Sequence, residues 1–316
     1  MRRTIPRVLL ALAACVLTAC HSPAYPVAHM APPRPAHAVL STAPGTYVGA
    51  YENDPQMEYA PYQVFAAATG HSPRILVNYS SFFEHFPVEL ATTAAEHGAV
   101  PCIQIQPYGI SLRSVVAGSY DTWLRSYASA VRTYRRPVII GFGHEMNGSW
   151  YSWGYHRTPA ATWVAAWRHI VLLFRGQGAD NVTWLWTVNR TNPGTTGRLR
   201  NWWPGGKFVT WVGIDGYYYL PSDTFGVVFG KTIAQLRAFT SKPLLLSETG
   251  VGRSADQPKK IRDLFTGMRQ YQTLGLVWFD VAQHQGIYHQ DWRLEDNPRA
   301  AAAFGREVKA LKGDSK

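Results

Sequence analysis

The chain of 316 residues is 46 % hydrophobic and 13 % aromatic, so it is long and apolar enough to bury one large core. Twelve tryptophans are a high count, which fits either sugar handling or a core that uses indoles as filler. The formal net charge of +11 falls to +8 without Arg2, Arg3 and Arg7, and no Lys/Arg run remains, which argues against the concentrated basic stripe of a nucleic-acid binder.

Residues 1–20 read as an export signal. Arg2, Arg3 and Arg7 form a basic start, and Val8 to Ala19 is an apolar run too short to span a bilayer, which takes about 20 residues. The run ends Leu17-Thr18-Ala19-Cys20. That ending resembles a bacterial lipobox, with Cys20 as the lipidated residue; an ordinary secretory signal cleaved nearby is the alternative. The expected location is therefore the bacterial cell envelope, anchored by lipid and facing away from the cytoplasm, or else outside the cell. Residues 21–44 hold six prolines, together with His21, His29 and His37, and no apolar periodicity. They read as an extended tether, and the histidines are too widely spaced for a metal site. Cys15 falls within the signal and Cys20 at its end, which leaves Cys102 alone on an apolar run. No disulfide is expected, and packing must hold the fold.

From residue 45 to 316 one domain is expected, in which strands and helices alternate. The strand pattern falls at 46–51, 74–79, 100–106, 138–143, 182–188, 209–215, 243–247 and 274–280. Helical patterns lie near 60–69, 88–97, 120–135, 159–175, 227–240, 257–273 and 298–311, and the Gly/Pro/Asn-rich 190–206 lacks a full helix. The helix after the fourth strand is the clearest. Thr158 is its predicted N-cap and Pro159 its first residue, and Trp163, Trp167, Ile170, Val171 and Phe174 share one face. Eight strands predict an α/β fold, a single (β/α)8 TIM barrel. A doubly wound open sheet is the alternative, but no Gly-rich phosphate turn follows the first strand.

Two strand ends carry the chemistry. After Pro137-Val138-Ile139-Ile140 the chain reads Gly141-Phe142-Gly143-His144-Glu145-Met146-Asn147-Gly148-Ser149-Trp150-Tyr151-Ser152-Trp153-Gly154. A carboxyl beside aromatics at a strand end fits a sugar cleft, because an acid can protonate a glycosidic oxygen and flat rings stack on pyranose faces. A polar strand end under a packed loop would look similar. Pro243-Leu244-Leu245-Leu246-Ser247-Glu248-Thr249-Gly250 repeats the design. A barrel unit takes about 31 residues, so the spacing from Glu145 to Glu248 is about three units, from the fourth strand to the seventh. Paired carboxyls across a cleft are the machinery of glycoside hydrolysis. A zinc peptidase is not supported, since His144-Glu145 lacks the second histidine of a His-Glu-x-x-His pair.

At these residues the chain resembles glycoside hydrolase family 26. The resemblance lies in Gly-His-Glu-Met-Asn-Gly-Ser-Trp at 143–150, Trp-Trp-Pro-Gly at 202–205, Val-Gly-Ile-Asp-Gly-Tyr at 212–217 and Ser-Glu-Thr-Gly at 247–250, and covers about residues 45–295. The family contains mainly β-mannanases, with some β-1,3/1,4-glucanases and β-1,3-xylanases. The resemblance implies Glu145 as general acid/base and Glu248 as nucleophile. It implies that Tyr217 donates a hydrogen bond to the nucleophile, that His144 lines the catalytic subsite and that Trp150 lies by the leaving-group sugar. Trp278 would be the floor under the sugar being cleaved, with core packing as its alternative. Asp215 is a candidate support residue. Trp153, Trp202, Trp203, Trp292 and Asn189 are weaker candidates for sugar contacts. Two departures bear on substrate: Trp278 is followed by Phe279 rather than the Arg of family mannanases, and Gln104-Ile105-Gln106-Pro107 stands where a histidine is expected. Arg293 is a candidate replacement for that arginine.

The expectation is a retaining endo-β-glycanase of the β-1,4-mannanase type, with a β-1,3/1,4-glucan, a β-1,3-xylan or an envelope polysaccharide as alternative substrates. An inactive carbohydrate-binding lipoprotein is the alternative of another class. No cofactor or metal is expected. The expected partners are a β-linked polysaccharide and, through the N-terminal lipid alone, a membrane, with the chain acting as a monomer.

Overall fold

The computed structural model describes residues 40–53, 58–283 and 290–313. The signal and most of the tether lie outside the described residues, Cys20 among them. Eight parallel strands close into a barrel in sequence order: β1 (Tyr47–Tyr51), β2 (Ile75–Ser81), β3 (Val100–Gln106), β4 (Val138–Phe142), β5 (Val182–Asn189), β6 (Trp211–Asp215), β7 (Leu244–Thr249) and β8 (Gly275–Phe279). Every residue of β4, β6 and β7 is buried, as expected of strands covered on both faces. The helices α1 (Ala60–Thr69), α2 (Val88–Glu96), α3 (Leu112–Val116), α4 (Asp121–Tyr134), α5 (Ala160–Gly176), α6 (Lys231–Arg237), α7 (Gln257–Gln270) and α8 (Pro298–Gly313) connect and follow the strands.

The expected elements match these within a few residues, with three differences. The short α3 was not expected; its five residues are too few to show a periodicity. In α5 the cap position is Pro159, and the Thr158 hydroxyl donates instead to the Ser152 carbonyl at 3.0 Å. As expected, no full helix follows β5, only a 3₁₀ turn, Leu199–Trp202. A two-stranded ribbon, β9 (Ala282–Gln283) with β10 (Gln290–Asp291), adds to the rim after β8.

Side-chain alternation divides each strand between two cores. Val48, Leu76, Ile140, Trp186, Ile214, Leu246 and Leu276 point outward and pack under the helices. Tyr47, Val77, Cys102, Ile139, Leu185, Trp211 and Val277 fill the barrel interior. Cys102 is the free cysteine among the described residues, and burial raises its thiol pKa far above the usual range, so it serves as a small apolar filler. Along the barrel axis the interior changes character. Tyr47 and Trp211 close the bottom with ring centroids 5.0 Å apart. Higher up, Gln104 bonds the Thr187 hydroxyl at 3.3 Å, in space that Gly141 leaves because any Cβ there would strike the Gln104 amide. Above that layer come the carboxyls. Apolar floor and polar mouth are therefore set by which inward position of each strand is apolar.

Candidate active site

Glu145 sits three residues beyond the end of β4. Its φ of +51° is left-handed, an unusual state for a non-glycine residue that costs of order 1–3 kcal/mol and is held here by surrounding bonds. The Glu145 amide donates to the Thr187 carbonyl of β5 at 3.0 Å, and Gly148 N–H returns to the Glu145 carbonyl at 2.8 Å. The turn aims the carboxyl over the barrel axis. Glu248 reaches the same place from β7, where the register with β6 shifts so that Asp215 pairs with Glu248. That irregularity puts Ser247 and Glu248 beside Asp215, with the Ser247 hydroxyl donating to Asp215 Oδ1 at 2.6 Å. One carboxyl oxygen each of Glu145, Asp215 and Glu248 lie within 4.8 Å of one another.

The two glutamates receive different donors. Glu145 Oε2 accepts from the Trp150 indole at 2.7 Å and Oε1 from the Asn189 amide at 2.5 Å. Glu248 Oε2 accepts from the Tyr217 hydroxyl at 2.7 Å, and Oε1 accepts from the Tyr79 hydroxyl. Burial, and then the nearby charge of Glu248, raise the Glu145 pKa to about 8. Burial also raises Glu248, against which its hydrogen bonds from Tyr79 and Tyr217 work. Asp215, 0 % exposed, is raised well above the carboxylate range by burial and then by both glutamates, while its Oδ2 has no hydrogen-bond partner among the described residues. A pKa of about 8 lets Glu145 hold a proton at neutral pH, and the two hydroxyl donors on Glu248 favour its charged form. Both oxygens of each glutamate accept N–H or O–H donors.

Around the carboxyls opens a cleft of about 1080 Å³, lined among others by Tyr51, Glu145, Trp150, Asn189, Arg190, Tyr217, Tyr219, Glu248, Phe279 and Trp292. Glu145, Glu248, Trp150 and Tyr217 are thus brought together as the sequence predicts. His144 does not line this cleft. It is 2 % exposed, its ring stands 5.4 Å from that of Tyr79, and its Nε2 meets the Tyr151 hydroxyl at 3.2 Å. Burial lowers its pKa to about 3, so it is neutral.

The expectation for Trp278 needs correction. The side chain is 0 % exposed, lies on the outward face of β8 against Phe304 of α8 with centroids 5.3 Å apart, and donates its N–H to the Trp292 carbonyl at 2.9 Å. Strand alternation sends the next residue, Phe279, into the cleft, where it stacks on Tyr51 at 4.4 Å. Arg293 is also unavailable as a sugar-binding arginine, because Asp291 holds it through two bonds of 2.9 Å and Asp296 through a contact of 2.8 Å. Trp153 and Trp202 are core residues, 1 % and 3 % exposed, whereas Trp292, equally buried, lines the cleft and stacks on Tyr217 at 4.6 Å. Trp203 is half-buried and packs at 5.1 Å from Trp186 in the outer core.

Sequence reasoning passed over Tyr79. Its signal was present: Ile75, Val77 and Tyr79 alternate inward on β2, and the last of them is the polar one.

Comparison with known proteins agrees with this geometry. The profile of glycosyl hydrolase family 26 matches residues 122–306, more than half of the chain. The protein belongs to this family. Endoglucanase H of Acetivibrio thermocellus is 27 % identical over 248 residues, which is 74 % of this chain and 27 % of that protein. A β-1,3-xylanase, TXYA, of a Vibrio species is 25 % identical over 201 residues, 60 % of this chain and 42 % of that one. The chain thus spans between about a quarter and two-fifths of the length of these relatives. The structure of a GH26 β-mannanase from Bacteroides ovatus superposes with a TM-score of 0.61 at 17 % identity, covering 86 % of this chain and 92 % of that one, which is a likeness of fold.

Proposed function

We propose that the protein is a retaining glycoside hydrolase that cuts a β-linked polysaccharide by double displacement, with Glu145 as acid/base and Glu248 as nucleophile. The observation that carries this reading is the approach of the two carboxyls to within 4.8 Å, one fed by N–H donors and the other by two tyrosine hydroxyls. Retaining enzymes hold their carboxyls about 5–5.5 Å apart, and inverting ones leave about 6.5–9.5 Å for a water. In the first step the Glu248 carboxylate attacks the anomeric carbon while Glu145 gives its proton to the departing oxygen. A glycosyl ester forms on Glu248 and the leaving chain departs as an alcohol. Esterification removes the charge that helps to raise Glu145, so Glu145 becomes the base that the second step needs. It takes a proton from water, whose oxygen displaces Glu248 and frees a product of unchanged configuration.

Glu145→Ala and Glu248→Ala are each expected to lose at least about a thousandfold in turnover while folding normally. An aryl glycoside with a good leaving group should partly rescue the first and not the second. Equal rescue of both would mean that the roles are wrong.

For the polymer, endo-cleavage of β-1,4-mannan is the first reading, from the commonest substrate of the family. A β-1,3/1,4-glucan or β-1,3-xylan is the second, favoured by Phe279 in the cleft and by the loss of Arg293 to Asp291 and Asp296. Reducing-end release from a panel of these polymers separates them. The proposal extends to residues 1–20 as a lipoprotein signal, 21–44 as tether and 45–316 as the catalytic unit, with Cys20 acylated. Cys20→Ser should then leave the membrane fraction or stay unprocessed, whereas a soluble wild type with an unmodified, cleaved N-terminus would end this part.

A further inference from the structure

The loops after β4 and β5 are joined by a short antiparallel bridge between Gly148 and Thr195, with Ser149 N–H on the Gly194 carbonyl at 3.1 Å and Thr196 N–H on the Asn147 carbonyl at 2.9 Å. On one side of this ridge Trp150 and Gly194 line the cleft. On the other a second depression of about 850 Å³ opens, lined by Tyr155, His156, Arg157, Arg198, Asn201 and other residues, none of them acidic. The two are therefore neighbours across one two-stranded ribbon. Trp150, whose indole donates to Glu145 Oε2, follows directly on this ridge, so the ridge adjoins the acid.

The chain between Glu145 and Asp215 is one-sided in charge. Between residues 146 and 214 there are seven lysines and arginines and one acid, Asp180. Arg168 and Arg175 are occupied by the carbonyls of Pro204 and Lys207 at 2.7 and 2.8 Å. Arg157 and Arg198 have no such side-chain partner and no carboxylate in ion-pair reach among the described residues, although both line a concave surface. Arg190, also without a side-chain partner there, lines the cleft itself on the near side of the ridge. The half-buried Tyr155 ring, 3.8 Å from that of His156, adds an aromatic surface beside the two free guanidinium groups. Guanidinium groups recognise planar anions through paired N–H donors, and an aromatic face takes the sugar ring.

We infer that this depression is a subsite for anionic groups, so that the polymer cleaved carries uronate carboxylates or sulfate esters. The inference rests on the assignment of Glu145 as the acid, and it can be tested without turnover. Affinity would be measured on the Glu248→Gln protein with β-mannan and β-glucan, each unmodified, carboxymethylated and sulfated. A preference of about tenfold for an anionic form over its parent is expected at low salt from two exposed charge pairs, and it should shrink at 0.5 M salt. It should vanish in Arg157→Gln/Arg198→Gln and persist in Lys259→Gln/Arg262→Gln, which removes equal charge from α7. Which anionic form is preferred tells carboxylate from sulfate. Equal affinity for anionic and neutral polymers, or a preference that survives loss of Arg157 and Arg198, would overturn the inference. Failure of the wild type to hydrolyse any β-glycan would instead strike the proposed function and leave the binding result standing.

Discussion

The Trp150 indole donates to Glu145 Oε2 at 2.7 Å, although its ring is 45 % exposed. An exposed tryptophan is thus fixed by the Glu145 carboxyl, and its ring is held at the cleft that both line. The N–H favours the ionised carboxylate, so it holds the Glu145 pKa down against burial. Trp150→Phe keeps a ring and removes the donor. The alkaline limb of kcat/KM should then move upward by up to about one pH unit, and an unmoved limb would show that the contact is absent in solution.

The pH profile of the wild type should be a bell. Glu145 must be protonated, so activity falls as pH rises through its pKa of about 8. Glu248 must be ionised, so activity falls as pH drops through a pKa that burial places above the ordinary glutamate value. The profile should be measured on an oligosaccharide, whose poor leaving group makes the acid necessary.

Tyr217→Phe and Tyr79→Phe each take one donor from Glu248. Both should move the acid limb to higher pH and lower kcat by about tenfold to a hundredfold, the size of about 1.5–3 kcal/mol for a hydrogen bond to a charged group. A fall in kcat with no shift of the limb would indicate that the tyrosines only shape the cleft.

Neighbouring residues on β8 should separate into stability and binding. Trp278→Ala opens a cavity against α8 and should cost about 3–5 kcal/mol of stability, read by denaturant unfolding. Phe279→Ala should raise KM or lower kcat with a smaller effect on stability, since its ring is only partly buried at the cleft.

These two residues also mark how far the sequence could be read. All eight strands and both carboxyls were legible, because the apolar runs that lead into Glu145 and Glu248 each end in a glycine-flanked carboxyl. The phase of β8 was not. Leu276-Val277-Trp278-Phe279 is apolar throughout, as a strand buried on both faces must be, so composition does not say which face holds Trp278. The inward position of Tyr79 and the strand-end position of Asn189 could be read, but their carboxyl partners could not, because barrel closure supplies those neighbours and neither lies near its carboxyl in the chain. The register shift that puts Asp215 beside Glu248 is a property of pairing and leaves no mark in the sequence.

Stereochemistry tests the central claim most directly. With the β-glycan that the enzyme cleaves best, proton NMR in the first moments of hydrolysis, before mutarotation, reports the configuration of the new reducing end. Carboxyls that approach to within 4.8 Å leave no room for a separate attacking water in the first step. The β-anomer should therefore appear first, with the α-anomer growing in at the rate of spontaneous mutarotation. An initial α-anomer would contradict Glu248 as the nucleophile and the double displacement with it.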